Sequence, residues 1–420
     1  MSAPVTPVAP VASVAPVAAR TAPVREATRP AARQVPVLWL ALLASPIAAG
    51  ANAPVLILPD MGHSLGVSTA TVTWLVTAFA WAMSVGTPLM AGLLRLRGIR
   101  ATLKVSSLTV AAGTALVALG PWLPLVLVGR AGQALGGAGL VAVAMNLAGS
   151  ARRMGVITSG FGVLGAGGPL LGQLVSTSAS WRLSLTVSAV TLLAVPVVWR
   201  YATQVPPAAG RFDSRGAALL VALATAVVLL PSAPLAAAGA AVAAGALLAL
   251  HIRRRPGGFV PAALLRSRPF LGAAAVALAL STSYFALLFA VPQLMADRTG
   301  WSVGAVGTGQ LVAMLTGSAL SWLLAAASAR LGRRTVYGVL LTLGTLAAVT
   351  TALAASAPLL LLATTAAIFA ATGSNAVLAV YAGQATPDPT QRPAAIGLFV
   401  LSYQMGSALG PAIAALLVLA

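Results

Sequence analysis

The stretch VLWLALLASPIAAGANAPVLILP, residues 37–59, decides the reading: it carries no charged side chain, and about 20 apolar residues at ~1.5 Å each are enough to cross a hydrocarbon core of ~30 Å as a helix. Runs of the same kind follow near 70–93, 104–121, 124–147, 154–176, 183–200, 217–232, 235–251, 270–293, 303–327, 335–354, 358–382 and 394–418. With 59% hydrophobic and 7% charged residues, against roughly 25% charged in soluble domains, the 420-residue chain cannot hide its apolar surface in a water-soluble core. The expected fold is an all-α polytopic membrane protein with about 13 transmembrane helices.

Charge placement sets the orientation. The net charge of +20 comes from 25 Lys and Arg against five Asp and Glu. In a soluble protein that balance points to nucleic acid, but here the basic residues sit in alternate loops. With a cytoplasmic N-terminus, only Arg182 and Arg298 fall outside and Arg130 inside a span. The rest, among them Arg95, Arg97, Arg100, Lys104, Arg152, Arg153, Arg200, Arg211, Arg215, Arg253, Arg254, Arg255, Arg266, Arg268, Arg330, Arg333, Arg334 and Arg392, share the cytoplasmic side. The expectation is a multi-pass protein of the plasma membrane with no nucleic-acid partner. Trp122, Trp181 and Trp301 fall at outer ends and Trp39 and Trp199 at inner ends, as an interfacial belt requires. Residues 1–36, rich in Pro, Ala and Val, read as a disordered cytoplasmic tail rather than a cleaved signal. Abundant Ala, Gly and Arg with a single Lys point to a GC-rich bacterial genome.

An internal repeat organises the rest. Gly66-Val67-Ser68 precedes one span and Arg95-Leu96-Arg97-Gly98 follows it; Gly300-Trp301-Ser302 and Arg330-Leu331-Gly332-Arg333-Arg334 repeat this at the same spacing, and Gly168-Pro169 is echoed by Gly410-Pro411. Residues 37–200 and 268–420 thus read as a six-helix bundle and a five-helix copy that stops one helix short. Residues 201–267 form a linker with two extra spans and a basic cytoplasmic segment, for which lying along the membrane surface is the expectation.

The chain resembles the major facilitator superfamily, and within it the fourteen-span drug/proton antiporter branch. Residues 91–100, ending in Arg97-Gly98-Ile99-Arg100, follow the family's loop between its second and third spans, with Arg95 where the family has an aspartate; Ala329 stands at the equivalent acid position in the second half. Arg130-Ala131-Gly132-Gln133 is similar to the family's fourth-span motif. Gly168-Pro169-Leu170-Leu171-Gly172 is similar to the antiporter motif of its fifth. The resemblance implies alternating access between two pseudo-symmetric bundles with a substrate site near the midplane, and gating roles for Gly98, Arg100, Gly168, Pro169, Gly172, Gly332, Arg333, Gly410 and Pro411.

Chemistry narrows the function. The spans hold no carboxylate; Asp60 at the outer end of the first is the expected coupling site, against a plain solvated pair with His63, while Asp213, Asp297 and Asp388 read as loop residues and Glu26 belongs to the tail. Arg130 either pairs with helix-end carbonyls or faces the central cavity, where, with Gln133, it would meet an anionic substrate or Asp60. Asn52, Tyr284, Gln310, Asn375, Tyr403 and Gln404 are the further cavity candidates, with Asn146, Gln173 and Gln293 beside them; the alternative for each is an interhelical hydrogen bond. Gly160-Phe161-Gly162-Val163-Leu164-Gly165 matches a dinucleotide fingerprint but follows no strand, so packing is the reading. No cysteine, two histidines and no phosphate-binding loop leave no metal site, cofactor or enzymatic activity to expect. The leading expectation is a monomeric secondary transporter exporting a lipophilic drug-like or natural-product molecule on the proton gradient, a multidrug-resistance antiporter. The alternatives are an organic-anion facilitator or exchanger and a transport-inactive sensor or scaffold.

Overall fold

The computed structural model describes residues 34–149, 151–202, 212–328, 330–385 and 392–418. Residues 1–33, with Glu26, and Arg211, Ala329 and Asp388 lie outside them. Each of the thirteen apolar stretches is helical. α1 (Val37–Asn52) passes through a 3-10 turn (Ala53–Leu56) into α2 (Leu58–Leu65); α3 (Thr69–Val72) leads into α4 (Trp74–Leu119); α5 (Leu123–Ala148) and α6 (Ala151–Ser178) follow. The sixth stretch is composite: α7 (Trp181–Leu185), a 3-10 segment (Val187–Ala194) and α8 (Val195–Tyr201). A hairpin of α9 (Ser214–Leu229) and α10 (Pro234–Arg254) and the short α11 (Ala262–Arg266) precede α12 (Arg268–Thr299), α13 (Val303–Ala327), α14 (Arg333–Leu353), α15 (Ala357–Gln384) and α16 (Arg392–Leu417). Among the described residues nine helices are long and apolar enough to cross a membrane; the 51-residue stretch Thr69–Leu119 is one of them and covers two expected spans, while α6 and the shorter Val187–Tyr201 and Ser214–Leu229 are not in that set.

The repeated Gly-x-Ser has a local cause. Gly66 (φ 67°) and Gly300 (φ 66°) end their helices in the left-handed conformation that glycine adopts without strain. Two residues on, the Ser68 hydroxyl accepts from the Thr71 amide and the Ser302 hydroxyl from the Ala305 amide, so each serine caps the helix that follows. The second repeat element diverges. At Gly98 (φ 79°, ψ −179°) the backbone leaves the helical conformation, so two helices meet at a sharp kink within α4, whereas Gly332 (φ −66°) is the N-cap of α14.

In lipid, apolar side chains gain little by leaving one apolar medium for another, so close backbone approach and hydrogen bonds hold the bundles. α6 lies on α1 through Gly168 and Gly172: a Cβ on Gly168 would stand 2.8 Å from the Ala49 carbonyl, and one on Gly172 would overlap the Ala53 carbonyl. α16 repeats this on α12, where a Cβ on Gly406 would meet the Thr282 amide at 2.6 Å and one on Gly410 the Ala286 amide at 2.6 Å. The C-terminal half of α4 and α5 interlock through Gly113, Gly129 and Gly136 in the same manner. Gly160 and Gly165 of the dinucleotide-like run pack toward Ser45 and Ala48 of α1.

The two bundles meet where the N-terminal half of α4 packs on α16 and α6 packs on α13. Their apolar packing differs from end to end. Away from the arginine-rich loops one cluster joins both bundles, with Val55, Leu58, Met61, Leu75 and Leu185 from the first and Tyr284, Leu288, Phe289, Met314 and Ile368 from the second. At the basic end the clusters are separate: Leu40, Leu103, Leu140 and Val198 in one, Phe270, Leu340, Leu378 and Phe399 in the other.

Several expectations change here. Trp181 is 8% exposed and lies under the Arg182 guanidinium, 4.5 Å from ring centroid to carbon, so it is a packed residue and not part of a belt. Asp297 is in α12 rather than a loop, and its carboxylate accepts from Gln293 one turn back; Asp60 and His63 are in α2, beyond the end of α1. Arg182 and Arg298, the two arginines off the basic face, both serve helix ends: Arg182 donates to the Val117 and Gly120 carbonyls at the end of α4, and Arg298 to those of Thr351 and Ala354 at the end of α14.

Candidate functional site at the bundle seam

Proline supplies the geometry around Arg130. A helical carbonyl at i accepts from the N–H at i+4, and a proline there has none. Pro54 thereby frees the Gly50 carbonyl, and the Arg130 guanidinium, 0% exposed, donates to it at 3.0 Å. The same guanidinium donates to the Gln133 amide oxygen (3.1 Å) and the Leu75 carbonyl (3.5 Å) and sits 4.3 Å from the Phe79 ring centroid. Gln133 passes the network on, donating to the Thr114 hydroxyl (3.2 Å) and to the Leu185 carbonyl (3.1 Å), which lies where α7 gives way to 3-10 helix. Arg130 thus ties α1, α4 and α5 together within the first bundle, and Asp60, exposed in α2, is not among its partners.

The pattern occurs twice more. Pro169 frees the Gly165 carbonyl, which accepts from the Asn52 amide at 2.8 Å, joining α1 to α6. Pro292 frees the Leu288 carbonyl, which accepts from the Gln310 amide at 2.9 Å, joining α12 to α13. Three of the candidate polar residues are therefore partners of backbone that proline has left without a donor.

Other candidates line the seam. Tyr284, 4% exposed, packs against Phe285 (centroids 4.7 Å apart) beside Tyr403, and Ser281 donates to the Tyr403 carbonyl at 2.6 Å. Thr87 of α4 donates to the Gln404 amide oxygen of α16 at 3.2 Å, a polar link between the bundles. The amide oxygens of Gln310 and of Gln173, from the paired helices α13 and α6, are buried with no hydrogen-bond donor. Asn375 is half-buried on α15. Toward the end that lacks the arginine-rich loops, a pocket of about 90 Å³ opens between Leu56, Leu58, Pro59, Phe289, Pro292, Gln293 and Trp301, next in sequence to Asp60. Drug-sized sites run to about 300 Å³ and more, so a substrate of that size requires the seam to open.

The gating candidates form matched pairs. Arg100, just after Gly98, donates to the Ala202 carbonyl at 2.8 Å and lies 5.9 Å from the Trp199 ring; Arg333, just after Gly332, donates to the Gln384 amide oxygen at 3.0 Å and lies 4.9 Å from the Tyr381 ring. Each clasps the basic end of its own bundle.

Comparison with known proteins decides the family. The Major Facilitator Superfamily model matches residues 38–264 and 273–420. The chain belongs to the major facilitator superfamily. A chloramphenicol resistance protein of Streptomyces lividans is 33% identical over 162 residues, a match that takes in 37% of this chain and 40% of that relative's length. Among solved structures, a peptide transporter of the POT type in complex with sulfate superimposes with a TM-score of 0.61 at 14% identity, over 90% of this chain and 87% of that one. A bacterial homologue of the human lysosomal transporter Spinster, in an inward-facing and unoccupied conformation, gives 0.59 at 15% identity over 90% and 80%. At such identities these share the superfamily fold, and the chain is a multi-pass membrane transporter by family.

The sequence missed the linker's role at this seam. Trp81 of α4 donates to the Thr225 hydroxyl of α9 at 3.0 Å, and α9 contributes Ala224 and Val228 to an apolar cluster with Val85 of α4 and Leu401 and Met405 of α16. The extra hairpin of this superfamily member therefore touches both bundles. Asp213, read as a plain loop residue, holds the hairpin's ends: its carboxylate accepts from the amides of Gly216 (3.0 Å) and Phe259 (2.9 Å) and meets the His251 ring at 2.9 Å. Burial alone raises its pKa, but the two amides and His251 outweigh that and hold it down at about 2. Phe212 beside it packs over Gly92, where a Cβ would stand 2.6 Å from the ring.

Proposed function

We propose that this chain exports a lipophilic drug-like or natural-product molecule by alternating access, using the proton gradient. The observation that carries alternating access is the unequal packing of the seam: one apolar cluster shared by both bundles at one end, two separate clusters at the other. The excess of arginine at the separated end supports reading that end as cytoplasmic by the positive-inside rule, with a cytoplasmic N-terminus and a bacterial plasma membrane as parts of the same reading. This is a transporter closed to the outside and loosened toward the inside. Residues 37–200 and 268–420 act as the moving bundles, and residues 201–267 bridge them.

The export reading draws on the chloramphenicol resistance relative. The substrate path in this reading runs along Tyr284, Tyr403 and Gln404, with the unfilled acceptors of Gln173 and Gln310 as its hydrogen-bonding groups. Asp60 is the carboxylate assigned to coupling, at the outer mouth. Arg130 has its donors engaged by carbonyls and Gln133, which leaves the organic-anion alternative without its cation.

The test is accumulation of chloramphenicol and of a dye panel in energised cells expressing the chain. Lower accumulation than in control cells, reversed by a protonophore, is expected. Equal accumulation of every compound would sink the export reading; export that survives the protonophore and the Asp60→Asn exchange would sink the coupling assignment.

A further inference from the structure

The arginines between α10 and α12 are not used in that cycle. Residues 253–268 carry Arg253, Arg254, Arg255, Arg266 and Arg268, all exposed. None of the five has a hydrogen-bonding or ionic side-chain partner, and the one ion pair among the described residues is Asp213 with His251. By contrast, Arg100, Arg130, Arg182, Arg298 and Arg333 all donate to protein oxygens.

The backbone bearing these arginines is fixed. Asp213 holds the Phe259 amide, the Gly258 and Ala262 amides donate to the Arg255 and Pro256 carbonyls, and Val260 (4% exposed) and Leu264 (0%) are buried against the hairpin and second bundle. Arg254 is the last residue of α10, a helix long and apolar enough to cross the bilayer, so the first three arginines emerge at the depth of the headgroups. Arg268 opens α12, the next helix long and apolar enough to cross the bilayer, so it too stands at a membrane boundary. Leu265, 43% exposed between Leu264 and Arg266, adds an apolar contact at the same level.

We propose that residues 253–268 form a preformed platform that binds anionic phospholipid headgroups through Arg253, Arg254, Arg255, Arg266 and Arg268. Guanidinium groups donate paired N–H bonds to phosphate oxygens, and a fixed backbone spares the ordering cost that a flexible basic tail incurs. The occupant is lipid because the surface lies where headgroup phosphates already stand at high local concentration. The proposal does not depend on what the transporter moves.

The full chain is purified in detergent and its thermal unfolding followed as phosphatidylglycerol or phosphatidylcholine is added. Phosphatidylglycerol is expected to raise the unfolding midpoint above the phosphatidylcholine value, with apparent affinity dropping roughly fivefold for each arginine replaced by glutamine. Asp213→Ala keeps all five arginines yet removes the acceptor of the Phe259 amide, and is expected to weaken the phosphatidylglycerol effect. Arg95→Gln with Arg97→Gln, on another loop of the same face, is expected to leave it intact. A phosphatidylglycerol effect that survives the five replacements, or is lost equally in the Arg95/Arg97 control, would overturn the proposal. So would inorganic phosphate reproducing it, since the site would then be one for free anions. If the five replacements block folding, Arg253→Gln with Arg255→Gln is read by the same comparison, and an unchanged affinity there overturns it.

Discussion

A carbonyl freed by proline inside a membrane costs several kcal/mol if left alone, so each of the three here fixes the identity of a residue on a neighbouring helix. Arg130→Ala removes the donor to Gly50 and the partner of Gln133 at once, and about 2–3 kcal/mol of stability is expected to go with it, read as a lower unfolding midpoint in detergent. The Asn52 bond permits a sharper check. Pro169→Ala restores an N–H four residues after Gly165, so Asn52→Ala is expected to cost about 1 kcal/mol or more in the native chain and less when Pro169→Ala is present. Equal costs in both backgrounds would mean the carbonyl was not the reason for Asn52. These residues were legible in the sequence as intramembrane polar groups, but their partners were not. The relevant prolines stand 76, 117 and 18 residues from the side chains that answer them, and only the packing of α1 with α5 and α6, and of α12 with α13, makes the pairs visible.

At the scale of the element, glycine does two different jobs. Gly98 has a backbone conformation that a Cβ disfavours, so Gly98→Ala is expected to cost about 1–2 kcal/mol, while Gly332→Ala, at φ −66° with open space around it, is expected to cost only about 0.5 kcal/mol, from the N-cap preference alone. Equal effects on the unfolding midpoint would remove the distinction. The helix stops at Gly66 and Gly300 and the starts at Ser68 and Ser302 could be read directly, because capping is local chemistry. The 3-10 segment Val187–Ala194 could not, since nothing in that apolar run marks it off from an ordinary helix. The linker clasp adds a pH dependence. Asp213 sits at about 2 against an ordinary 3.8, so its contribution, about 1–2 kcal/mol, is present above pH 4 and is lost as pH falls toward 2. The stability gap between the native chain and Asp213→Asn is expected to narrow over that interval; a gap that does not change with pH would show that the carboxylate charge is not what holds the hairpin.

For the whole molecule, the thirteen apolar stretches and the internal repeat were enough to anticipate two helical bundles, because membrane-crossing length and repeated caps are properties of sequence alone. Which end of the seam is closed was not legible, since it depends on which side chains meet between bundles. The chain has no cysteine, which makes that closure easy to probe. Leu56→Cys with Gly307→Cys joins the bundles at their sealed end, where the Leu56 side chain comes within 2.8 Å of a Cβ placed on Gly307. Oxidation is expected to cross-link this pair and stop transport, and reduction to restore it; transport that continues through a complete cross-link would contradict alternation about this seam. The freed carbonyls also bear on biosynthesis. Asn52 is already in the membrane when Gly165 leaves the ribosome, but Arg130 emerges 80 residues after Gly50, so the first helix enters the lipid with a carbonyl that has to wait for its donor. Until the fifth helix arrives, that segment has reason to stay beside the insertion machinery, which would make the order of synthesis part of how this bundle assembles.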